Sequence, residues 1–271
     1  MLFQKLLSSA VMTAAAAEGA SACSPIKALV YRGPAACPGC AEAVAQLLRT
    51  TPGTKIHVAY VGPDEEIKLD AEAFKDVTFY AQPGGGDDVD STWKNDMKQY
   101  NSTIRDFVQN GGRYLGFCLG AYLAGYSPGF SLLNKGDDTN SELERKGSQV
   151  TNESDTIIQV DWTFASGKTV KKRWVYFQDG AVMVLEKNSD AKILGRYSSN
   201  GDPAATLNQF GQGWVGVVGP HPEANKKWYA DEDLKNPDGI KFDIGHDFVQ
   251  QVLNAGTTVE TSGDLRNSGT R

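Results

Sequence analysis

Histidine and cysteine are scarce in this chain, with three of the first and four of the second among 271 residues. That scarcity leaves too few ligands for a zinc site, and none recur at a suitable spacing. Long apolar runs are missing too. No stretch of about 18 strongly apolar residues occurs, which excludes a membrane-spanning helix in the mature protein. Nor is there an excess of positive charge: 27 Lys and Arg face 33 Asp and Glu, a net charge of −6. Without a basic face to neutralise phosphates, non-specific nucleic-acid binding is excluded. Neither G-x-G-x-x-G nor a following Lys-Ser/Thr pair accompanies the glycines at 84–86, so no phosphate-bearing cofactor is expected. Internal repeats and dividing linkers are absent, which leaves one domain as the expectation.

What is present fits a globular protein with a sizeable core, at 40% apolar and 22% charged residues. Residues 1–22 carry one basic residue, Lys5, then a weakly apolar run closing on Ala20-Ser21-Ala22, an A-x-A cleavage pattern. They are read as a signal peptide, which predicts a secreted protein. The alternatives are a plain Ala-rich leader, or a periplasmic or lipid-anchored form in which Cys23 becomes the first mature residue. Export would make the sequons at Asn101 and Asn152 usable for glycosylation. The domain then runs over 23–255, and the polar tail 256–271 is expected to be disordered.

Within the domain, short apolar runs alternate with helical patterns, the signature of a parallel sheet with crossover helices. Strands are predicted at 26–31, 56–61, 77–81, 113–117 and 214–219. Helices are predicted at 41–48, 91–109 and 242–254, the second from Trp93, Met97, Tyr100, Ile104 and Phe107 at spacings of three and four. Residues 127–153 read as a polar surface excursion. Beyond Thr156 the pattern alternates and is β-rich, with a hairpin turn at Asp179-Gly180. The fold class is α/β with an antiparallel extension in the second half.

The strongest chemical signal is Gly116-Phe117-Cys118-Leu119-Gly120, a G-x-C-x-G between a buried strand and a small-residue helix start. A nucleophile elbow has this form, its glycines making room for a tight strand-to-helix turn. Backbone N–H groups at the start of the helix favour a thiolate over a thiol. A nucleophilic thiol needs a base. His57 sits inside an alternating strand and His246 in an amphipathic helix, whereas His221 follows a buried strand and is flanked by prolines. Glu223, two residues on, can orient its imidazole. Pro83-Gly84-Gly85-Gly86-Asp87 adds a strand-end loop whose N–H groups can hold an oxyanion.

These pieces, in this order, resemble the class I glutamine amidotransferase-like superfamily and, within it, the N-terminal domain of biotin-protein ligases in a stand-alone form. Leu29-Val30-Tyr31 with Gly33-Pro34, the 83–87 loop, the elbow through Tyr122, Val175-Tyr176 with Asp179-Gly180, Ile193 to Tyr197 and Gly219 to Glu223 carry the resemblance. It implies a flavodoxin-like parallel sheet with helices on both faces. It also implies Cys118 as nucleophile, His221 as general base, Glu223 as its partner, and the amides of Gly85 and Leu119 as oxyanion hole. Two departures stand out. Ala121 and Tyr122 occupy the His-Gln positions that hold glutamine in true amidotransferases, and no attached synthase or ligase domain is expected.

Cys37-Pro38-Gly39-Cys40 opens the first helix, where a thioredoxin-type redox pair is also placed. Three readings stand: a structural disulfide, local or to Cys23; a redox device near Cys118; or a metal site. Three functions follow. The first is a secreted thiol hydrolase or amidase acting on a small-molecule or peptide amide, which predicts that Cys118→Ala abolishes turnover. The second is a retired binding or sensing domain, which predicts that Cys118 resists acylation. The third is a thiol–disulfide redox protein, whose insulin-reducing activity would vanish in Cys37→Ser.

Overall fold

The computed structural model describes residues 25–86 and 88–257. The expected leader, Cys23, Asp87 and the expected tail from residue 258 onward lie outside them. The first half contains β1 (Ile26–Tyr31), α1 (Cys40–Arg49), β2 (Ile56–Val61), β3 (Phe79–Gln82), α2 (Val89–Thr92), α3 (Asn101–Gln109), β4 (Arg113–Phe117) and α4 (Leu119–Ala124). The second half adds β5 (Asp138–Ser141), β6 (Thr156–Thr163), β7 (Thr169–Phe177), β8 (Ala181–Val184), β9 (Lys192–Tyr197), β10 (Pro203–Phe210), β11 (Gly213–Val218), α5 (Lys226–Asp231) and α6 (Asp243–Leu253).

Nine strands form one sheet in the order β2-β1-β3-β4-β11-β10-β9-β6-β7. The first five are parallel and the rest antiparallel, as the change of texture past Thr156 predicts. Side chains alternate across the sheet, so each central strand feeds two cores. Ala28, Val30, Phe117 and Val218 pack on one face with Val44 and Leu48 of α1 and Phe248 and Val252 of α6. Leu29, Tyr31, Tyr114 and Val217 pack on the other with Ile104 and Val108 of α3 and Leu123 of α4.

Three expectations are corrected. The helix predicted over 91–109 is interrupted by a π-helical turn at Trp93–Met97 and a 3₁₀ turn at Lys98–Tyr100. One is under-wound and the other over-wound, so their offsets oppose and the apolar face continues through Met97 to Ile104. The 127–153 excursion is not confined to the surface. It buries Phe130, Leu132 and Leu133 completely or nearly so and supplies β5. Finally, the Asp179-Gly180 turn makes no hairpin, because β7 pairs with β6 while β8 pairs with β5 in a separate two-stranded sheet. Ala181, Val182 and Met183 are buried on both sides, which a place beside the half-exposed β7 does not provide.

Glu142 lies beneath that turn, its N–H donating to the Gly180 carbonyl at 3.1 Å. Its carboxyl is fully buried, accepts from Asn200 Nδ2 at 2.8 Å, and leaves Oε2 without a partner. Burial pushes its pKa up to about 7, against the smaller opposing effect of the Asn200 hydrogen bond. A raised carboxyl stabilises the fold in full below the ordinary carboxylate range and loses that contribution as pH rises toward about 7. Glu142→Gln is therefore expected to raise the melting temperature by about 4 °C at pH 8 and hardly at all at pH 4. Thermal melts at the two pH values check this.

Candidate active site

β4 runs between β3 and β11 and delivers Cys118 to the carboxyl edge of the sheet, where α/β folds place their ligand sites. The Cys118 N–H donates to the Val218 carbonyl at 2.9 Å, tying the elbow to β11. Its φ of 47° and ψ of −104° are strained for a non-glycine residue, as a nucleophile elbow requires. The flanking glycines meet the expectation of tight space. A β-carbon on Gly116 would strike the Gly120 backbone, and one on Gly120 would strike the Gln82 carbonyl.

β11 ends on the same edge and delivers His221. The His221 N–H donates to the Tyr176 carbonyl at 2.9 Å, which pins the proline-flanked turn against β7. Its Nδ1 lies 2.8 Å from Glu223 Oε1, and the two side chains are 4% and 0% exposed. Trp228 packs against the imidazole with ring centroids 5.1 Å apart. A β-carbon built on Gly84 would lie 2.6 Å from His221 Cε1 and 3.3 Å from Cys118 Cβ. The imidazole, the nucleophile elbow and the 83–86 loop therefore meet at one point.

Charge at this point is strongly coupled. Burial pushes the His221 pKa down, but the Glu223 carboxylate, the Cys118 side chain and hydrogen bonds to both outweigh it and raise the pKa to about 10. The imidazole is thus biased toward its protonated form. A histidine with a raised folded pKa contributes its stability in full below about 6.5 and loses it as pH rises through about 10. The difference in melting temperature between wild type and His221→Gln is expected to be largest near pH 6 and to shrink toward pH 10.5. Paired melts across that range check it.

A cavity of about 200 Å³ opens on the Cys118 side chain and is lined by Gly85, Tyr122, His221, Trp228 and both Cys37 and Cys40. Cys118 Sγ also lies 3.5 Å from the Gln178 carbonyl oxygen. Cys37 and Cys40 are paired as a disulfide. Among the described residues the Gly85 and Leu119 amides have no backbone acceptor. A thiol, a buried base with its carboxylate and two such amides around a small cavity can carry acyl transfer.

The structure thus brings together Cys118, His221, Glu223, Gly85, Leu119 and the Cys37–Cys40 pair. It sets the other histidines apart. His57 is exposed on β2 and not the satisfied structural side chain its strand suggests, because β2 is an edge strand. His246 on α6 contacts Thr50 Oγ1 at 3.0 Å. Asn101 is half-buried at the start of α3, with Oδ1 lacking a partner, while Asn152 is exposed in a loop. Cys23 is outside the described residues. Sequence reasoning missed Trp228 and the Gln178 carbonyl as cavity walls. The Asp-Gly signal marked a turn there but not where it folds.

Residues 26–144 match the family model of the biotin-protein ligase N-terminal region. No curated protein sequence matches the chain. A glutamine amidotransferase from Thermotoga maritima superposes with a TM-score of 0.55 at 12% identity, covering 85% of this chain and 99% of that one. A ThuA-like protein from Parabacteroides merdae gives 0.49 at 12% identity over 84% and 90%. The fold assignment rests on the former. The chain therefore has the fold of a glutamine amidotransferase, and its residues 26–144 match the biotin-protein ligase N-terminal model.

Proposed function

We propose that the protein is a secreted thiol amidase, and the observation that carries this is the buried His221–Glu223 pair meeting Cys118 at one cavity. Cys118 Sγ attacks an amide carbonyl and forms an S–C bond, while the Gly85 and Leu119 amides hold the oxyanion. His221 gives its proton to the departing amine as the C–N bond breaks. It then takes a proton from the water that hydrolyses the thioester. Glu223 holds the imidazole and its charge in place throughout.

The substrate is an amide other than free glutamine. Ala121 and Tyr122 replace the residues that would hold glutamine, and among the described residues no Lys or Arg lines the cavity to receive an α-carboxylate. Secretion draws support from the Cys37–Cys40 disulfide, since such bonds persist in oxidising compartments. The exposed loop residue Asn152 is then the better placed glycan acceptor of the two sequons.

Alkylation by iodoacetamide tests the reading before any substrate is known. Cys118 is expected to react faster than free cysteine at about pH 6.5, and to lose that advantage in His221→Ala. A Cys118 that reacts no faster than free cysteine would point to a retired site that binds without turnover.

A further inference from the structure

The Cys37-Pro38-Gly39-Cys40 segment has no part in the chemistry above, yet its disulfide forms one wall of the same cavity. Cys40 begins α1, whose Ala41, Val44, Leu47 and Leu48 are buried in the core, so its sulfur is anchored. Cys37 is partly exposed and belongs to the loop that follows β1. Only Pro38, Gly39 and one hydrogen bond, Cys40 N–H to the Cys37 carbonyl at 3.0 Å, otherwise connect the two. Gly39 is exposed and sits in the left-handed region with φ of 84°, with nothing within 4 Å of where a β-carbon would lie. Without the S–S bond, little holds the Cys37 backbone to the helix.

That backbone has a specific task. The Cys37 N–H donates to the Gly84 carbonyl at 3.0 Å. In a trans peptide the carbonyl and the next N–H point in opposite directions, so this bond fixes the Gly85 N–H facing away from Cys37. The Gly84–Gly85 unit has φ of 135° at Gly85 and too little room on the Cys37 side for any β-carbon. Glycine peptides reorient easily unless held. The Cys37 hydrogen bond does the holding, and the disulfide fixes Cys37.

We infer that the Cys37–Cys40 disulfide is a positioning element for the oxyanion hole, so that acyl transfer at Cys118 depends on its being oxidised. The inference rests on the proposed thiol chemistry, with Gly85 as an oxyanion donor. Reduction by a phosphine supplies two electrons, and with two protons it converts the S–S bond to two thiols. The phosphine is oxidised to its oxide with oxygen from water. Cys118 itself is unchanged, but the amide facing its substrate is no longer held.

Two reagents separate these roles in the full chain. p-Nitrophenyl acetate acylates Cys118 through an oxyanion, forming the S–C bond and expelling p-nitrophenolate. Iodoacetamide alkylates it with loss of iodide and passes through no oxyanion. Modification is read by mass spectrometry on the Cys118 peptide. In the double variant Cys37→Ser/Cys40→Ser, acylation is expected to fall about tenfold or more, with alkylation changing less than about twofold. Wild type reduced with phosphine and desalted is expected to behave alike, and to recover on reoxidation by glutathione disulfide, which guards against a variant that fails to fold. Unchanged acylation overturns the inference. A parallel fall of both rates overturns it too, since that is a general structural loss. A wild-type Cys118 that takes neither reagent removes the thiol reading itself, and this inference with it.

Discussion

Cys118→Ala is expected to bring acylation by p-nitrophenyl acetate down to the protein-free background, with the melting temperature within about 2–4 °C of wild type. The small stability cost follows from the surroundings. Beyond its β-carbon, the residue contributes one sulfur, which lies 3.5 Å from the Gln178 carbonyl oxygen and 4.0 Å from that of Asp179 and also hydrogen-bonds with His221. Alanine keeps the β-carbon and suffers the same backbone strain at φ of 47°. The loss of reactivity is complete because nothing else in the cavity can replace a thiolate at neutral pH. Cys118→Ser tests that point, since its hydroxyl stays protonated beside an imidazolium and should rescue little. A second readout is independent of turnover. Cys118 helps to raise the His221 pKa, so the alanine variant should titrate its imidazole lower by NMR. Acylation surviving in Cys118→Ala would place the nucleophile elsewhere.

Much of this site was legible because its residue types are rare and its neighbours are strongly patterned. With three histidines in the chain, the only one following a buried strand between prolines stood out. The G-x-C-x-G elbow declared itself through glycines that the structure shows to be steric necessities. The parallel strands 26–31, 56–61 and 113–117 were readable to the residue because each is a short apolar run bounded by turn signals. What failed was non-local. Asp179-Gly180 gives a correct turn, but the partner of the strand after it is chosen by burial of Ala181 to Met183, which no local pattern encodes. The 127–153 segment misled because Phe130, Leu132 and Leu133 are isolated among polar residues and show no period, yet together they fill the core beside α4. The disulfide wall of the cavity was legible as a pair of cysteines. Its place beside Cys118 came from the loop after β1 being drawn to the end of β3 and the loop beyond it by the Gln82–Ala35 and Cys37–Gly84 hydrogen bonds.

Gly84→Ala is expected to cost about 100-fold in acylation rate and to lower the melting temperature by a few degrees through overpacking. The backbone at Gly84 is outside the left-handed region, so alanine brings no conformational penalty. Its β-carbon would instead lie 2.6 Å from His221 Cε1, closer than such contacts allow. The imidazole has little freedom to yield, being held by Glu223 at 2.8 Å and packed against Trp228 and Tyr176 at centroid distances of 5.1 and 6.1 Å. Either the ring is forced off Cys118, or the loop retreats and strains the Cys37–Gly84 bond that orients the Gly85 amide. Both routes damage the same step. Gly111→Ala supplies the contrast. Gly111 has φ of 108° with nothing within 4 Å of a new β-carbon, so that variant should lose stability through backbone strain and keep its acylation rate. A Gly84→Ala protein with wild-type acylation would mean that the imidazole is not the group governing reaction at Cys118, and the base would have to be sought elsewhere along the cavity.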